Sequence, residues 1–263
     1  MIDIHCHILP NIDDGSRDEE HSLQQLRSMV EGGISRVYLT SHYFRGHYQY
    51  TRAEYDAKFD RLRGLVKAEL PELELLPGFE VYIQPGILED IEEHNLCLGD
   101  SRYVLIESEL NGLPTDFYFN IYPILRKGFR PILAHAERYV SIMKDPAEAQ
   151  KYLEQNIYIQ VNAGSLMGLY GEKVKETAIK LVEEGWVHFI ASDDHVRSDY
   201  KAYFSAREWI TEHIDATTAE LLTHDYPGMI QDGIHVPYKY VKVIKPRHRH
   251  HKRSLWEKMF GVS

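Results

Sequence analysis

Ile2 and Ile4 alternate with Asp3 and His5 at the start of the chain, a period of two that predicts a β-strand with successive side chains on opposite faces. Leu23, Leu26, Met29 and Val30 then recur at helical spacing, between the capping-box pattern Ser16-Arg17-Asp18-Glu19 and a stop at Gly32-Gly33. The pair repeats. Arg36 to Thr40 reads as a strand running into Ser41-His42-Tyr43, and Thr51 to about Glu69 reads as a helix with Leu62, Leu65 and Val66 on one face. Leu73 to Pro77 predicts a strand leading to Gly78-Phe79-Glu80, Ile87 to His94 a short helix, and Tyr103 to Ile106 a strand ending at Glu107. Asp116 to Lys127 predicts a helix that Pro123 kinks or ends. Pro131 to Ala134 runs into His135, Pro146 to about Gln155 opens a helix on its proline, and Ile157 to Asn162 is again strand-like. Lys173 to Glu184 reads as a helix stopped by Gly185, and Val187 to Ser192 as the last clear strand, running into Asp193-Asp194-His195.

Strands that alternate with helices must lie parallel, because each crossover returns the chain to the same end of the sheet. Closed on itself, such a sheet is an α/β fold of the distorted TIM-like (β/α)7 barrel type. A length of 263 residues suits one barrel domain, and 43% hydrophobic residues supply its core. Composition changes only near the end. Residues 1–244 read as the barrel domain and 245–263 as a basic C-terminal tail, with Lys245-Pro-Arg-His-Arg-His-His-Lys-Arg253 ahead of the apolar cluster Leu255, Trp256, Met259 and Phe260.

Charge and cysteine content narrow the function classes. A formal net charge of -10 argues against nucleic acid as a partner, since phosphate contacts need a basic surface. No basic and apolar leader precedes the first strand, no apolar run has membrane-spanning length, and two cysteines are too few for a disulfide framework, so a cytoplasmic location is expected. The tail 245–253 reads either as a solvated segment or as a peripheral contact for an acidic membrane surface or a partner protein.

The candidate chemistry lies where the predicted strands stop. His5 and His7 fall on one side of an extended backbone, where two imidazoles can hold a divalent cation. His42, Glu80, Glu107, His135 and Asp193 each sit at or just past the end of an apolar run, which in a parallel barrel is the catalytic face. A structural role explains one such residue easily and the whole set poorly.

Taken together, His5-Cys6-His7, Asp13-Asp14-Gly15, Thr40-Ser41-His42, Gly78-Phe79-Glu80, Leu105-Ile106-Glu107, Ala134-His135-Ala136-Glu137-Arg138 and Ser192-Asp193-Asp194-His195 resemble the PHP (polymerase and histidinol phosphatase) superfamily. Within it, the opening Met-Ile-Asp-Ile-His-x-His, the Asp-Asp-Gly that follows and Gly164 to Gly171 are most similar to the capsule-type bacterial tyrosine-protein phosphatases, over about residues 1 to 225. The resemblance implies three divalent metal ions at the barrel's C-terminal face, most often Mn2+, with Fe or Zn also suited to a nitrogen and oxygen ligand set. It implies His5, His7, Glu80 and Asp193 at the first ion, Glu80, Glu107 and His135 at the second, and Asp14, His42 and His195 at the third.

The activity implied is hydrolysis of phosphotyrosine by a hydroxide bridging two metals, with Arg138 as the phosphate-binding fork and His42 or His195 as the proton donor if one is needed. Its protein substrate would be an autophosphorylated bacterial tyrosine kinase of capsule or exopolysaccharide synthesis; a homo-oligomer is left open. Three departures stand out. Ala136 replaces the proline usual before Glu-Arg, which is expected to loosen the turn presenting Arg138; the second arginine common past the last ligand is represented only by Arg197 or Lys201; and Asp194 is expected to be outer-lying or solvent-exposed. Two other readings compete: a phosphatase for histidinol-phosphate-type small molecules, and a non-catalytic regulatory binding module. A cysteine nucleophile is disfavoured, because Cys97 precedes Arg102 by one residue too few for a Cys-x5-Arg phosphate loop and Cys6 is expected to pack on the barrel exterior.

Overall fold

A computed structural model describes residues 1–112, 117–196 and 200–238. Seven strands form the wall: β1 (Ile2–Cys6), β2 (Arg36–Tyr43), β3 (Glu74–Tyr82), β4 (Tyr103–Glu107), β5 (Arg130–Leu133), β6 (Tyr158–Asn162) and β7 (Phe189–Ala191). They pair in sequence order, and every pairing is parallel. The wall nearly closes: β7 reaches β1 through one bridge, Cys6 to Asp194, flanked by Asp193 N–H donating to the His5 carbonyl at 2.8 Å and His7 N–H donating to that of Asp194 at 2.7 Å.

Local sequence explains most of the elements. Helix Thr51-capped Arg52–Glu69 carries the full capping box, with Glu54 answering the Thr51 N–H. Helix Glu19–Glu31 starts later than Ser16 predicts, because the Asp18 carboxylate accepts the His21 N–H while the Ser16 hydroxyl is turned onto the Asp18 carbonyl. Helix Ile87–His94 has the predicted bounds, and helix Phe117–Arg126 continues through Pro123 rather than ending there. β3 runs on through Pro77 to Tyr82, so Glu80 stands within the strand rather than past it. The proline is tolerated because its carbonyl accepts from Gly99 N–H, on the side away from β2, so its missing N–H removes nothing from the ladder to Leu39.

β1 is buried on both faces, as a parallel strand covered by helices must be. Ile2, Ile4 and Cys6 join the hydrophobic core and His5 and His7 turn toward the ligand cluster, while Asp3, on the near side of an irregularity in the β1–β2 register, is buried and accepts from the Ser192 and Tyr200 hydroxyls. After β7 come the helices Lys201–His213, Ala216–Glu220 and Tyr226–Gln231, which the strand and helix alternation did not predict. The described chain then crosses the lower mouth, where the Tyr103 hydroxyl donates to the Ile234 carbonyl and Tyr158 to that of Val236. Asp116, Arg197 and the tail 245–263, with its proposed contact segment 245–253, lie outside the described residues.

Candidate metal centre

Because a parallel barrel points every strand the same way, the titratable residues at the strand ends are delivered to a single face. His5 Nε2 and His7 Nε2 approach to 3.2 Å, Glu80 Oε2 lies 3.2 Å from each, and Asp193 Oδ1 lies 3.3 and 3.5 Å from the two. His42 Nδ1 stands 3.2 Å from the same Glu80 oxygen and 3.0 Å from Glu107 Oε1. His135 Nε2 meets Glu80 Oε1 at 2.8 Å and Glu107 Oε2 at 3.8 Å. Asp14 Oδ1 lies 3.5 Å from His42 Nε2 and 3.4 Å from His195 Nε2. The structure thus brings eight of the nine residues singled out in the sequence as ligands into overlapping groups that share Glu80, His7 and His42; His42 joins Glu80 and Glu107 in the place expected of His135, which lies against the same two carboxylates outside those groups.

Buried imidazoles normally spend both nitrogens on hydrogen bonds, and here one nitrogen is spent while the other converges. His7 Nδ1 is 2.9 Å from Asp13 Oδ2, His5 Nδ1 is 3.1 Å from Gln160 Oε1, and His195 Nδ1 is 2.9 Å from the Asp193 carbonyl. With the Nδ1 protons donated to those oxygens, the Nε2 lone pairs of all three are left facing the carboxylates. His42 has one lone pair and two neighbours; if Nε2 serves Asp14 and His195, the Nδ1–H donates to Glu107. Glu80 Oε2, fully buried, has no well-formed hydrogen bond of its own. Ligand atoms about 2.0–2.2 Å from a common ion stand about 3.0–3.6 Å apart. The residues fit a divalent metal by donor type, spacing and this unsatisfied oxygen.

Electrostatics carries the same signature. Burial opposes charging His5, but the Glu80 and Asp193 carboxylates overcome it and push its pKa up to about 9. His7, likewise opposed by burial, is raised well above the ordinary imidazole value, chiefly by Asp13. Glu80, despite burial, is held well below the usual carboxylate range by His5 and His42, and Asp193 is lowered against its own burial, chiefly by His5. Protons on these imidazoles stand where positive metal charge would. Two candidate ligands also sit at non-glycine left-handed backbone positions, His135 at φ +37 and Asp193 at φ +52, conformations that surrounding structure must enforce.

Arg138 ends a tight helical turn, Ala136–Arg138, and its Nη1 donates to Asp193 Oδ2 at 3.2 Å while its plane lies over the Tyr170 ring at 4.8 Å. The turn is well formed despite Ala136, held from below by buried Glu137, which accepts from Asn162 N–H and the Ser165 hydroxyl. Tyr48 stacks on His42 with ring centroids 5.0 Å apart, so aromatic faces flank the polar cluster on two sides. Lys201 is exposed in the first turn of its helix. Of the two placements expected for Asp194 the structure shows the outer-lying one: it accepts from Gln25 of helix Glu19–Glu31 and from Val196 N–H, and burial raises its pKa to about 6, so it fastens the segment after β7 to that helix rather than standing in solvent.

Sequence reasoning missed three contributors. Asp13 orients His7 and also accepts the His42 N–H at 3.0 Å; Gln160 and Asn162 of β6, the one strand without a titratable end, lie wholly buried against His5 and Asp193. Cys6 and Cys97 are free and buried, and Cys6 donates its thiol to the Tyr38 carbonyl, away from the cluster.

Comparison with known proteins gives the same answer. The profile of the family described as "Capsular polysaccharide synthesis, CpsB/CapC" matches residues 1–231. Tyrosine-protein phosphatase YwqE of Bacillus subtilis is 36% identical over 197 residues, 74% of this chain and 77% of YwqE. Tyrosine-protein phosphatase CpsB of Streptococcus pneumoniae is 30% identical over 237 residues, 88% of this chain and 98% of CpsB. A solved structure from the work on those two enzymes, described as unique metal-dependent tyrosine phosphatases, superposes with a TM-score of 0.82 at 30% identity, over 90% of this chain and 96% of that one. A barrel from strand β1 to β7, its ligand-bearing face and these matches along nearly the whole described chain lead to one assignment: the protein belongs to the CpsB/CapC family of capsular polysaccharide synthesis.

Proposed function

We propose that this chain is a metal-dependent protein-tyrosine phosphatase, a phosphoric monoester hydrolase acting on phosphotyrosine. The observation that carries the reading is Glu80, a buried carboxylate with three imidazole nitrogens at 3.2 Å from one oxygen, in a cluster whose Asp193 accepts from the guanidinium of Arg138. Three divalent ions, manganese first, with iron or zinc as alternatives, would be held by His5, His7, Glu80 and Asp193, by Glu80, Glu107 and His135, and by Asp14, His42 and His195. Such ions supply a water acidic enough to attack at neutral pH and a clamp for phosphoryl charge.

The chain's own groups do the rest. Arg138 offers a planar fork to two phosphoryl oxygens, and Asp193 together with the Tyr170 face fixes the plane of that fork. Tyr48 and Tyr170 give a phenyl ring apolar faces to rest on. A phenol of pKa near 10 leaves readily, so little acid catalysis is needed, and His42 and His195 serve this reading as ligands of the third ion. The partner fitting a capsule-synthesis family is an autophosphorylated tyrosine kinase of that system, met in the cytoplasm, a compartment that suits two free thiols.

Turnover of a phosphotyrosine peptide and of histidinol phosphate, each with and without Mn2+, tests the reading. Metal-dependent hydrolysis of the peptide in clear preference is the expected result. Preference for histidinol phosphate would make it a small-molecule phosphatase, and no turnover of either by metal-loaded protein would leave a binding module.

A further inference from the structure

β6 brings no ligand to the cluster, yet two of its side chains are fully buried there. Gln160 Oε1 lies 2.9 Å from the His135 main-chain N–H and 3.1 Å from His5 Nδ1; its Nε2 lies 2.8 Å from Asn162 Oδ1; and Asn162 Nδ2 lies 2.7 Å from Asp193 Oδ2. The direction of this chain is forced at both ends. A main-chain N–H can only donate, so the Gln160 atom facing it is the oxygen and the Gln160 amide nitrogen must face Asn162. Asn162 therefore accepts from Gln160 and donates to Asp193, whose ionised carboxylate can only accept. With Gln160 Oε1 fixed as an acceptor, the His5 nitrogen opposite it must carry the proton, and the His5 lone pair falls on Nε2, toward His7, Glu80 and Asp193. The same wire, at 2.7 Å the shorter of the two bonds to Asp193 Oδ2 beside that of Arg138 at 3.2 Å, occupies that oxygen and leaves Oδ1 aimed at His5 and His7.

We propose that Gln160 and Asn162 are positioning residues for the first metal site, Gln160 selecting the His5 tautomer and Asn162 selecting which Asp193 oxygen faces the ion. The inference rests on the reading above that His5 and Asp193 bind metal. Partners of this kind alter metal affinity without touching the ion, by about 10- to 100-fold on removal. Asn162→Ala breaks the Asp193 arm alone, Gln160→Ala breaks the His5 arm and removes the donor that orients Asn162, and Gln160→Glu keeps an oxygen opposite His5 and His135.

The experiment titrates Mn2+ into chelator-treated wild-type, Asn162→Ala and Gln160→Ala protein, reading free Mn2+ by electron paramagnetic resonance. In parallel, 15N spectra of the zinc-loaded proteins read the His5 Nδ1 proton. Expected are an affinity loss of about tenfold or more at one site in both alanine variants, and a His5 Nδ1–H signal lost in Gln160→Ala, kept in Asn162→Ala and restored in Gln160→Glu. Should Gln160→Ala fail to fold, Asn162→Ala and Gln160→Glu carry the test. Variants binding Mn2+ within twofold of wild type, or a Gln160→Ala protein with the wild-type His5 signal, overturn the inference alone. Wild-type protein that binds no metal overturns it together with the phosphatase reading.

Discussion

The two mouths of the barrel both bury histidines and both are rich in polar atoms, and they solve the problem in opposite ways. At the lower mouth His188 accepts the Ile159 N–H on Nδ1 and faces the Tyr238 carbonyl with Nε2, so a neutral ring is fully satisfied. Burial lowers its pKa to about 4. At the upper mouth His5 has one nitrogen satisfied and the other aimed at His7, Glu80 and Asp193, and its pKa is pushed up to about 9. Burial acts on both rings alike; the difference is the uncompensated carboxylate charge above. A buried polar group with a complete set of partners is part of the scaffold, and converging groups that lack one mark a place for something else.

The most severe test of that contrast removes its focus. Glu80→Ala is expected to lose bound metal and about a thousandfold or more in kcat together while the circular dichroism spectrum is kept, checked by elemental analysis and assay on a phosphotyrosine peptide. Full metal content in that variant would remove Glu80 from the centre. Arg138→Ala should lose about a hundredfold in kcat/KM, since a bidentate charge-assisted pair to the phosphoryl group is lost, and should keep its metals, since no ligand is removed and Asn162 still holds Asp193 Oδ2. Wild-type kinetics would make Arg138 a surface residue.

The next effect belongs to the lower mouth and to stability alone. The folded pKa of His188 lies below the unfolded value near 6.5, so its contribution is present above pH 6.5 and is lost as the pH falls toward 4. His188→Gln should therefore flatten the fall in unfolding free energy across that window, by about 3 kcal/mol at its acid end, with metal content and kcat unchanged. Identical acid profiles would show the ring to be protonated in the folded state. Smallest of all, Cys97→Ala should leave turnover within twofold of wild type and cost about 1 kcal/mol of stability, measured by urea denaturation. Loss of activity there would reopen thiol chemistry.

The upper mouth was far more legible in the sequence than the groups that support it. A metal ligand must be one of a few residue types, and a buried parallel strand must be apolar, so Ile106-Glu107 or Leu133-Ala134-His135 stands out against its surroundings. Gln160 and Asn162 carry no such contrast, because amides are as common in ordinary satisfied cores and turns. In Asp13-Asp14 the two carboxylates look alike, and only the fold turns one onto His7 and the other toward His195. Helix Lys201–His213 did have a signal, Tyr203, Ala206 and Ile210 on one face, but its many polar neighbours dilute it. The lower mouth was invisible, since Tyr103, Tyr158 and His188 meet carbonyls of the stretch from Ile234 to Tyr238 that no local pattern pairs with them.

The wall's seam lies where the first strand meets the last, a single bridge between Cys6 and Asp194. His5, His7, Asp193 and His195 straddle that seam, so any ion they share is bonded to both lips of it. An ion held there would fasten the seam, and amide hydrogen exchange at His7 and Asp193, whose N–H groups bond across it, is expected to slow when Mn2+ is added to chelator-treated protein. During synthesis the first strand must wait, unlatched on that edge, until nearly two hundred residues have followed it.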